Sequence, residues 1–211
     1  MSKKGVLLVI SGPSGAGKGT ICKALLEKHK EIYLSVSATT REPRNGEVEG
    51  VNYFFLKKED FLQKVEEGDF LEHAEVYGNY YGTPKSSVQK MIDEGRDVIL
   101  EIDIQGALKV KENCEEGIFI FILPPSMEEL KQRIIKRGSE TPESLMRRFK
   151  SAYKEINYIS KYNYAVVNDE VDTAVSKIEA IITAEKCRVD RMKHHNILDS
   201  KEGFIHEQLY D

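Results

Sequence analysis

The sequence predicts an α/β fold built on a doubly wound parallel sheet, and three observations along the chain support that prediction. Short, almost continuous apolar segments recur between turn residues, as expected for strands that are covered on both faces. Amphipathic helical patterns separate these segments, and such alternation of strands and helices is typical of the doubly wound class. The third observation is an interruption, because residues 35–84 break the alternation and predict a smaller added part.

The elements of the core follow one another in order. Four strands are predicted at residues 6–10, 97–103, 118–123 and 164–167. Six helices are predicted at residues 18–30, 86–94, 105–113, 126–137, 142–158 and 171–192. Ser126 and Glu129 form a capping box, in which the serine oxygen accepts a backbone N–H of the first helical turn. Pro142 suits the first position of a helix, where the N–H that proline lacks has no intrahelical partner.

Residues 35–84 have the pattern of a small β-rich insertion into this core. Short strands are predicted at residues 53–56, 70–77 and 80–82, and one helix is predicted near residues 58–67. The segment carries five Lys or Arg against ten Asp or Glu, so its charge balance is −5.

Length and composition exclude several classes of protein. A chain of 211 residues can bury a core without disulfides or a structural metal. Hydrophobic residues make up 40% and charged residues 31%, which excludes a disordered, collagen-like or coiled-coil chain. The net charge of −4 argues against a nucleic-acid-binding protein, which would normally carry a basic domain.

The three cysteines and the apolar segments predict where the chain resides. Cys22, Cys114 and Cys187 lie far apart and form no Cys-x-x-Cys motif, so a reducing compartment is expected. The longest apolar segments are far shorter than a membrane span, and the apolar stretch at the N-terminus is too short for a secretory signal. We therefore expect a cytoplasmic protein with no membrane partner.

A glycine-rich loop follows the first predicted strand and opens the first predicted helix. Its residues are Gly12, Pro13, Ser14, Gly15, Ala16, Gly17, Lys18, Gly19 and Thr20. Such a loop wraps phosphate oxygens with backbone N–H groups, and the lysine adds positive charge for the β- and γ-phosphates. An ordinary glycine-rich turn is the alternative, but three spaced glycines with a lysine in this context favour a phosphate-binding loop (P-loop).

The loop departs from the general pattern at Gly19, where Ser or Thr usually stands. The hydroxyl comes one residue later, at Thr20. We therefore expect Mg²⁺ to be held largely by phosphates and water rather than by a direct hydroxyl contact.

Two arginines, Arg41 and Arg44, stand three residues apart in a turn-rich stretch of the acidic insertion. The planar fork of arginine can donate two hydrogen bonds at once to a phosphate monoester. A solvated basic loop is the alternative interpretation, but two neighbouring arginines in an otherwise acidic segment favour a phosphate site.

Four motifs occur in order along the chain and together carry a resemblance. They are Gly12-Pro-Ser-Gly15-Ala-Gly17-Lys18, Ser37-Ala-Thr-Thr-Arg41-Glu-Pro-Arg44-Asn-Gly-Glu47, Gly78-Asn-Tyr80-Tyr81-Gly82 and Ile102-Asp103-Ile-Gln105-Gly106. The sequence resembles the guanylate kinase family, whose members phosphorylate GMP at the expense of ATP. The resemblance covers about residues 5–190, and the arginine motif is its specific part because many NTPases share the phosphate loop.

The resemblance implies a GMP site within the insertion and at the edge of the core. The residues implied to contact the GMP phosphate are Arg41, Arg44, Tyr53 and Tyr81, and those implied to surround guanine are Ser37, Glu72, Thr83 and Asp103. A carboxylate that accepts two hydrogen bonds matches the N1–H and 2-amino donors of guanine, whereas adenine has no proton on N1. Thr83 keeps the hydroxyl of the serine that is frequent at this family position.

The resemblance also implies an ATP site and a mobile lid. Residues 127–155 carry eight Lys or Arg against five Asp or Glu. By resemblance, Arg137 and Arg148 bind ATP and the phosphoryl group, Arg133 is an additional candidate contact, and Asn168 lies near adenine. The catalytic set is then Lys18, Arg44, Arg137 and Arg148. Glu101, at the end of a predicted strand, is a candidate contact of the Mg²⁺ shell, and no metal ligand is certain.

The domain organisation follows from these assignments. A P-loop core at 1–34, 85–126 and 156–193 carries the GMP-binding insertion at 35–84 and the lid at 127–155, with a tail at 194–211. The expected substrates are ATP and GMP, with Mg²⁺ as cofactor, and the oligomeric state stays open, a homodimer included. The alternatives are a related module that binds phosphorylated proteins without activity, and a P-loop kinase for another small acceptor.

Overall fold

The computed structural model describes residues 4–76, 78–114, 116–136 and 142–191. Within these ranges the strands are β1 (Leu7–Ser11), β2 (Tyr33–Leu34), β3 (Ala38–Thr39), β4 (Phe54–Phe55), β5 (Phe70–Val76), β6 (Asn79–Pro84), β7 (Val98–Glu101), β8 (Ile118–Leu123) and β9 (Tyr164–Val167). The helices are α1 (Lys18–Lys28), α2 (Lys58–Glu66), α3 (Lys85–Asp93), α4 (Ile104–Asn113), α5 (Met127–Lys136), α6 (Pro142–Ile156) and α7 (Val171–Lys186). Short 3₁₀ helices follow at Asn157–Lys161 and Val189–Arg191.

Five strands form a parallel sheet in the order β2-β7-β1-β8-β9, which confirms the predicted fold class. Side chains alternate across β1. Leu8 and Ile10 pack on one face with residues of α1 and α7, whereas Leu7 and Val9 pack on the other with residues of α3 and α4. Helices therefore cover both faces of the sheet, as the continuous apolar strands predict.

Four strands of the 35–84 segment form a separate mixed sheet in the order β4-β3-β6-β5. Strands β3 and β4 pair parallel, while β6 pairs antiparallel with both β3 and β5. A small core lies between this sheet and α2, where the rings of Phe61 and Phe70 stack 4.4 Å apart. The second sheet is thus supported by a hydrophobic cluster of its own.

Most predicted elements are confirmed, and the differences have local causes. Strands at 118–123 and 164–167 have the predicted bounds. The strand predicted at 97–103 ends at Glu101, because Asp103 caps α4 by accepting the Gly106 N–H at 2.8 Å. The serine half of the predicted capping box is confirmed as well, since the Glu129 N–H donates to Ser126 Oγ at 3.1 Å, while the Glu129 side chain accepts from Arg133 Nε instead.

Two strands, β2 and β3, have no counterpart among the predictions. The helix predicted to run to 192 ends at Lys186, and the helix predicted to run to 158 passes into 3₁₀ geometry after Ile156. The tail at 194–211 lies outside the described residues. In the part of the chain that the structure describes, no helix is long and apolar enough to cross a membrane.

Candidate active site

The glycine-rich loop joins the carboxyl end of β1 to the start of α1, where ligand crevices of open α/β sheets form. Gly15 and Gly17 have φ angles of 91° and 92°, in the left-handed region that favours glycine. Gly17 is also closely approached, since a Cβ there would lie 2.2 Å from Asn168 Nδ2. The backbone conformation of the loop therefore depends on glycine at these two positions, as is typical of loops that bind phosphate through backbone N–H groups.

Lys18 lies across this loop. Its Nζ donates to the carbonyl oxygens of Gly12 at 2.6 Å and Pro13 at 3.3 Å. Burial lowers the pKa of Lys18, while the nearby carboxylates of Glu101 and Glu155 act in the opposite direction. The ammonium group thus lies at the base of the loop, in position to meet an anion.

A cavity of about 230 Å³ opens over the loop and Lys18. Its lining residues are Gly12, Ser14, Gly15, Gly17, Lys18, Gly19, Glu101, Asp103, Ile104 and Glu155. The charged side chains among them are one lysine and three carboxylates. A polyphosphate in this cavity would need additional positive charge, from arginines or a divalent cation.

Glu101 extends from the end of β7 toward the first turn of α1. A Cβ built on Gly19 would lie 3.3 Å from Glu101 Oε1. The carboxylate therefore lies beside the position where the general phosphate-loop pattern places a hydroxyl side chain. Thr20, which carries the displaced hydroxyl, is exposed.

A second group of polar side chains adjoins the cavity at its Asp103 side. Thr83, on β6, donates to Glu72 Oε1 at 2.8 Å, and the two residues are cross-strand partners. A Cβ on Gly106 would lie 3.4 Å from both Glu72 Oε2 and Asp103 Oδ1. Burial raises the pKa of Glu72, and the charge of Asp103 adds to that effect. Two carboxylates and a hydroxyl are therefore brought together beside the amino end of α4.

An aromatic and cationic cluster lies on the insertion sheet. The Arg41 guanidinium lies 5.5 Å from the ring centroid of Tyr53, and the rings of Tyr53 and Tyr81 meet edge to face at 6.1 Å. Arg41 Nη2 donates to both carboxylate oxygens of Glu47, at 2.9 and 3.0 Å. The Arg44 N–H donates to the same carboxylate at 2.7 Å, while the Arg44 side chain is exposed.

The insertion and the segment between β7 and α4 thus bring together most residues that the resemblance implies for GMP. Arg41, Tyr53 and Tyr81 form one cluster, and Glu72, Thr83 and Asp103 form another. Ser37 lies next to β3, and its carbonyl accepts the Phe54 N–H at 2.9 Å.

On the opposite side, α5 and α6 approach the loop. Arg148 Nη2 donates to Ser14 Oγ at 2.9 Å. Arg133 Nε donates to Glu129 at 2.9 Å, and its Nη2 donates to the Asn168 carbonyl at 3.2 Å. Arg137, a member of the predicted catalytic set, lies outside the described residues.

Asn168 follows β9 and is only 4% exposed. Its Nδ2 donates to the Ala16 carbonyl at 2.8 Å, so the amide group stabilises the backbone of the phosphate loop. The structure thus gives this side chain a contact with the phosphate loop itself.

Sequence reasoning did not assign three residues that the structure places at these sites. Glu47 joins Arg41 to the backbone of Arg44, and Arg41 in turn lowers the pKa of Glu47. Glu155 lines the cavity from α6. Burial raises the pKa of Tyr162 to about 12, and the charge of Asp103 adds to that effect. The sequence carried a signal only for Glu47, which ends the quoted arginine motif.

The family model described as guanylate kinase matches residues 4–185 of the chain. The chain belongs to the guanylate kinase family. A guanylate kinase of Clostridium perfringens (strain SM101) is 79% identical over 210 residues, which cover 100% of this chain and 97% of the relative. A guanylate kinase of Clostridium acetobutylicum (strain ATCC 824) is 74% identical over 211 residues, which cover 100% of both chains.

A solved guanylate kinase shares the fold as well. The crystal structure of guanylate kinase from Anaplasma phagocytophilum matches with a TM-score of 0.72 at 37% identity, covering 96% of this chain and 97% of that one. As a member of the guanylate kinase family, the chain is an enzyme, a nucleoside monophosphate kinase. The matched range 4–185 contains the phosphate loop, the insertion sheet, and both α5 and α6.

Proposed function

We propose that the chain transfers a phosphoryl group reversibly from ATP to GMP, and also to dGMP, in a Mg²⁺-dependent reaction of purine nucleotide metabolism. One observation carries the proposal above the others. Asp103 lines the phosphate-loop cavity and also adjoins Glu72 over Gly106, so donor and acceptor subsites are continuous. Two nucleotides could therefore occupy one continuous cleft, as direct transfer between them requires.

The acceptor subsite suits guanine and a phosphate monoester. Glu72 and Asp103 offer carboxylate oxygens to the N1–H and 2-amino donors of guanine, with the Thr83 hydroxyl beside Glu72. At the other end, Arg41 and Tyr53 offer donors to the phosphate, because the arginine fork matches phosphate oxygens. The proposed GMP-binding residues are Ser37, Arg41, Arg44, Tyr53, Glu72, Tyr81, Thr83 and Asp103.

The donor subsite is the phosphate loop. Residues 12–20 offer backbone N–H groups, and Lys18 offers an ammonium group to the β- and γ-phosphates. Arg148, which reaches Ser14, would compensate charge on the phosphoryl group. Arg44 and Arg137 complete the proposed catalytic set, and Asn168 would contribute by supporting the loop. No general base is needed, because the GMP phosphate is already an anionic nucleophile.

The residues present fit a divalent cation bound together with the nucleotide. Among the described residues, no three His, Cys, Asp or Glu side chains are grouped so that they could hold a metal ion by themselves. Nucleotide phosphates and water would therefore supply most ligands, with Glu101 as the protein group nearest the first turn of α1. When bound, Mg²⁺ would neutralise charge on the β- and γ-phosphates.

We propose that these roles are divided among three parts of the chain. The core (1–34, 85–126 and 156–193) would hold the phosphate loop, the insertion (35–84) would bind GMP, and the segment 127–155 would act as a lid. Closure over both nucleotides would exclude water that could otherwise hydrolyse ATP.

An acceptor screen tests the proposal. In a coupled assay that detects ADP, the purified chain with Mg·ATP should turn over GMP, dGMP more slowly, and AMP or dTMP very little. Equal turnover of AMP would favour another P-loop kinase, and binding without turnover of any nucleotide would favour a phosphoprotein-binding module. Lys18→Ala should abolish transfer while GMP binding stays measurable by calorimetry.

We propose a cytoplasmic location as well, because all three cysteines are free and one of them, Cys22, is buried. A homodimer is one of the oligomeric states that the sequence allows. Sedimentation of the purified chain with and without nucleotides would decide it.

A further inference from the structure

Helix α6 places a carboxylate inside the phosphate-loop cavity. Glu155 Oε2 accepts a hydrogen bond from the Ser14 N–H at 3.3 Å. The same side chain lines the cavity over Lys18 and counteracts the lowering of the Lys18 pKa. Backbone N–H groups of such loops are donors for anions, so a protein carboxylate uses a donor that phosphate could take.

Contacts on α6 hold this carboxylate in place. Ser151 lies one turn earlier and donates from Oγ to Glu155 Oε1 at 2.9 Å. Ala152 is fully buried in a cluster with Leu130 and Ile134 of α5. Those two α5 residues also approach the loop, because a Cβ on Gly15 would lie 3.0 Å from each. Helix α6, which carries Glu155, therefore packs against the same α5 side chains as the phosphate loop does.

Helix α6 also contacts Ser14 through a positively charged side chain, that of Arg148. Arg148 Nη2 donates to Ser14 Oγ at 2.9 Å, two turns before Glu155 on α6. Ser14 is thus bonded to a cation through its side chain and to an anion through its backbone. A phosphate that approached Ser14 would attract Arg148 and repel Glu155.

We propose that Glu155 is an internal competitor for nucleotide phosphate, which must leave the Ser14 N–H when the terminal phosphate of the donor enters the loop. The exchange couples phosphate binding to the position of α6, because Glu155 and Arg148 lie on one helix. Helix α6 then has two contacts with Ser14 that respond differently to phosphate. Phosphate would displace the Glu155 carboxylate, and it would attract the Arg148 guanidinium. The inference deepens the proposed function, since it rests on the phosphate loop as the donor site.

Calorimetry with tripolyphosphate, ADP and adenosine tests the competition. Glu155→Gln should bind tripolyphosphate about fivefold or more tightly than the wild type, ADP with a smaller gain, and adenosine unchanged. The gradation is expected because only phosphate competes with the carboxylate. Equal or weaker binding of tripolyphosphate by Glu155→Gln would overturn the proposal, as would no binding by either protein.

Two further variants separate the contact from its charge. Glu155→Asp keeps the charge but is one methylene shorter, so it should lose the Ser14 contact and also bind tripolyphosphate more tightly. If Glu155→Asp bound like the wild type while Glu155→Gln bound more tightly, simple charge repulsion would replace the proposed contact. Glu128→Gln removes a carboxylate of α5 that bonds Gln132 on the helix surface, and it should leave all three affinities unchanged.

Tripolyphosphate also keeps this test separate from the identity of the acceptor. If the chain failed to phosphorylate GMP, the acceptor assignment would fail, while the effect of Glu155 on tripolyphosphate would still be measured. Conversely, normal GMP turnover with no gain in Glu155→Gln would overturn the competition alone.

Discussion

Glu72 lies on β5, directly after a β-bulge that shifts the register of the β5–β6 pair between Phe70 and Glu72. Bulges redirect side chains, and here the carboxylate meets Thr83 and Asp103 at the edge of the cavity. Both acidic groups face one side of the proposed guanine pocket. Acceptor choice therefore depends on whether the base offers donors or acceptors to these oxygens.

Glu72→Gln should lower kcat/KM for GMP by at least about 100-fold, because the amide offers a donor where guanine needs an acceptor. The KM for Mg·ATP should change little, since Glu72 does not line the phosphate-loop cavity. Steady-state kinetics with each substrate varied in turn would measure both effects. Glu75→Gln is the matched control, because Glu75 is an exposed carboxylate on the same strand. If Glu72→Gln lowered the use of GMP and of ATP equally, the assignment of Glu72 to the guanine pocket would be contradicted.

The Glu101 carboxylate limits the space that is available for a side chain at position 19. Gly19→Ser restores the hydroxyl of the general pattern but brings a Cβ to 3.3 Å from Glu101 Oε1. We expect Gly19→Ser alone to lower kcat by about tenfold, and Glu101→Asp, which shortens the carboxylate, to recover part of that loss in the double variant. A double-mutant cycle in kcat at saturating Mg·ATP measures the coupling. Strictly additive effects would show that the two residues act independently.

Residues that lie close together in the sequence were the predictable part of the site. The glycines of the loop and Arg41 with Arg44 stand in short motifs whose spacing carries the chemistry. The Asn168–Ala16 and Glu155–Ser14 contacts join residues about 150 and 140 positions apart, and no local pattern marks such pairs. Their partners are set by how β9 and α6 pack against the loop, which is a property of the assembled fold.

Among the elements, long apolar strands were predictable and two-residue strands were not. Strands β8 and β9 match their predicted bounds because continuous apolar runs between turn residues define them. Strands β2 and β3 have only two residues each, too few for a periodic pattern. They form because β7 and β6 offer neighbouring edges, so sheet context decides them rather than local sequence.

A hydrogen bond from a titratable histidine, His29, connects the end of α1 with α7. His29 directly follows α1. Its Nε2 lies 2.8 Å from Oε1 of Glu179 on α7, and its Nδ1 lies 3.1 Å from Oε1 of Glu31. The hydrogen bond to Glu179 raises the pKa of His29, and the contact with Glu31 adds to it. Protonated His29 therefore stabilises the folded chain, fully below the unfolded-state pKa of about 6.5 and less as pH rises through the folded-state pKa.

His29→Gln should lower Tm more at about pH 6 than at about pH 8.5, because only the protonated wild type gains from its carboxylate partners. Thermal unfolding of both proteins across this pH range would measure the difference. Glu179→Gln should reduce the same pH dependence, since it removes the main partner of the imidazole. A difference in Tm that stayed constant or grew with pH would contradict the role of His29.

At the scale of the whole molecule, the net charge of −4 hides an uneven distribution. The insertion has a balance of −5 and the 127–155 segment has +3. The phosphate-loop cavity itself combines Lys18 with Glu101, Asp103 and Glu155. A weakly acidic chain is therefore compatible with binding two nucleotides, because binding depends on a few placed cations rather than on the total charge.

Stability and function are separated along the parallel sheet. The proposed site lies at the carboxyl ends of the strands, whereas Asp97 precedes the amino end of β7 and is 6% exposed. Asp97 Oδ2 accepts from Lys186 Nζ of α7 at 2.6 Å, and its Oδ1 accepts the Val6 N–H at 3.1 Å. One buried carboxylate thus joins α7 and the chain before β1 to the sheet.

Asp97→Ala should destabilise the chain by about 3 kcal/mol, because it leaves the buried Val6 N–H and the Lys186 ammonium without their acceptor. For a chain of this size the corresponding fall in Tm is roughly 6–12 °C. Urea unfolding would measure the loss, and kcat at 25 °C should stay at the wild-type value because the site lies at the other end of the strands. Asp93→Ala is the control, since its ion pair with Lys4 is exposed and should contribute no more than about 0.5 kcal/mol. If both variants lost the same stability, the carboxylate at 97 would not be the connection described.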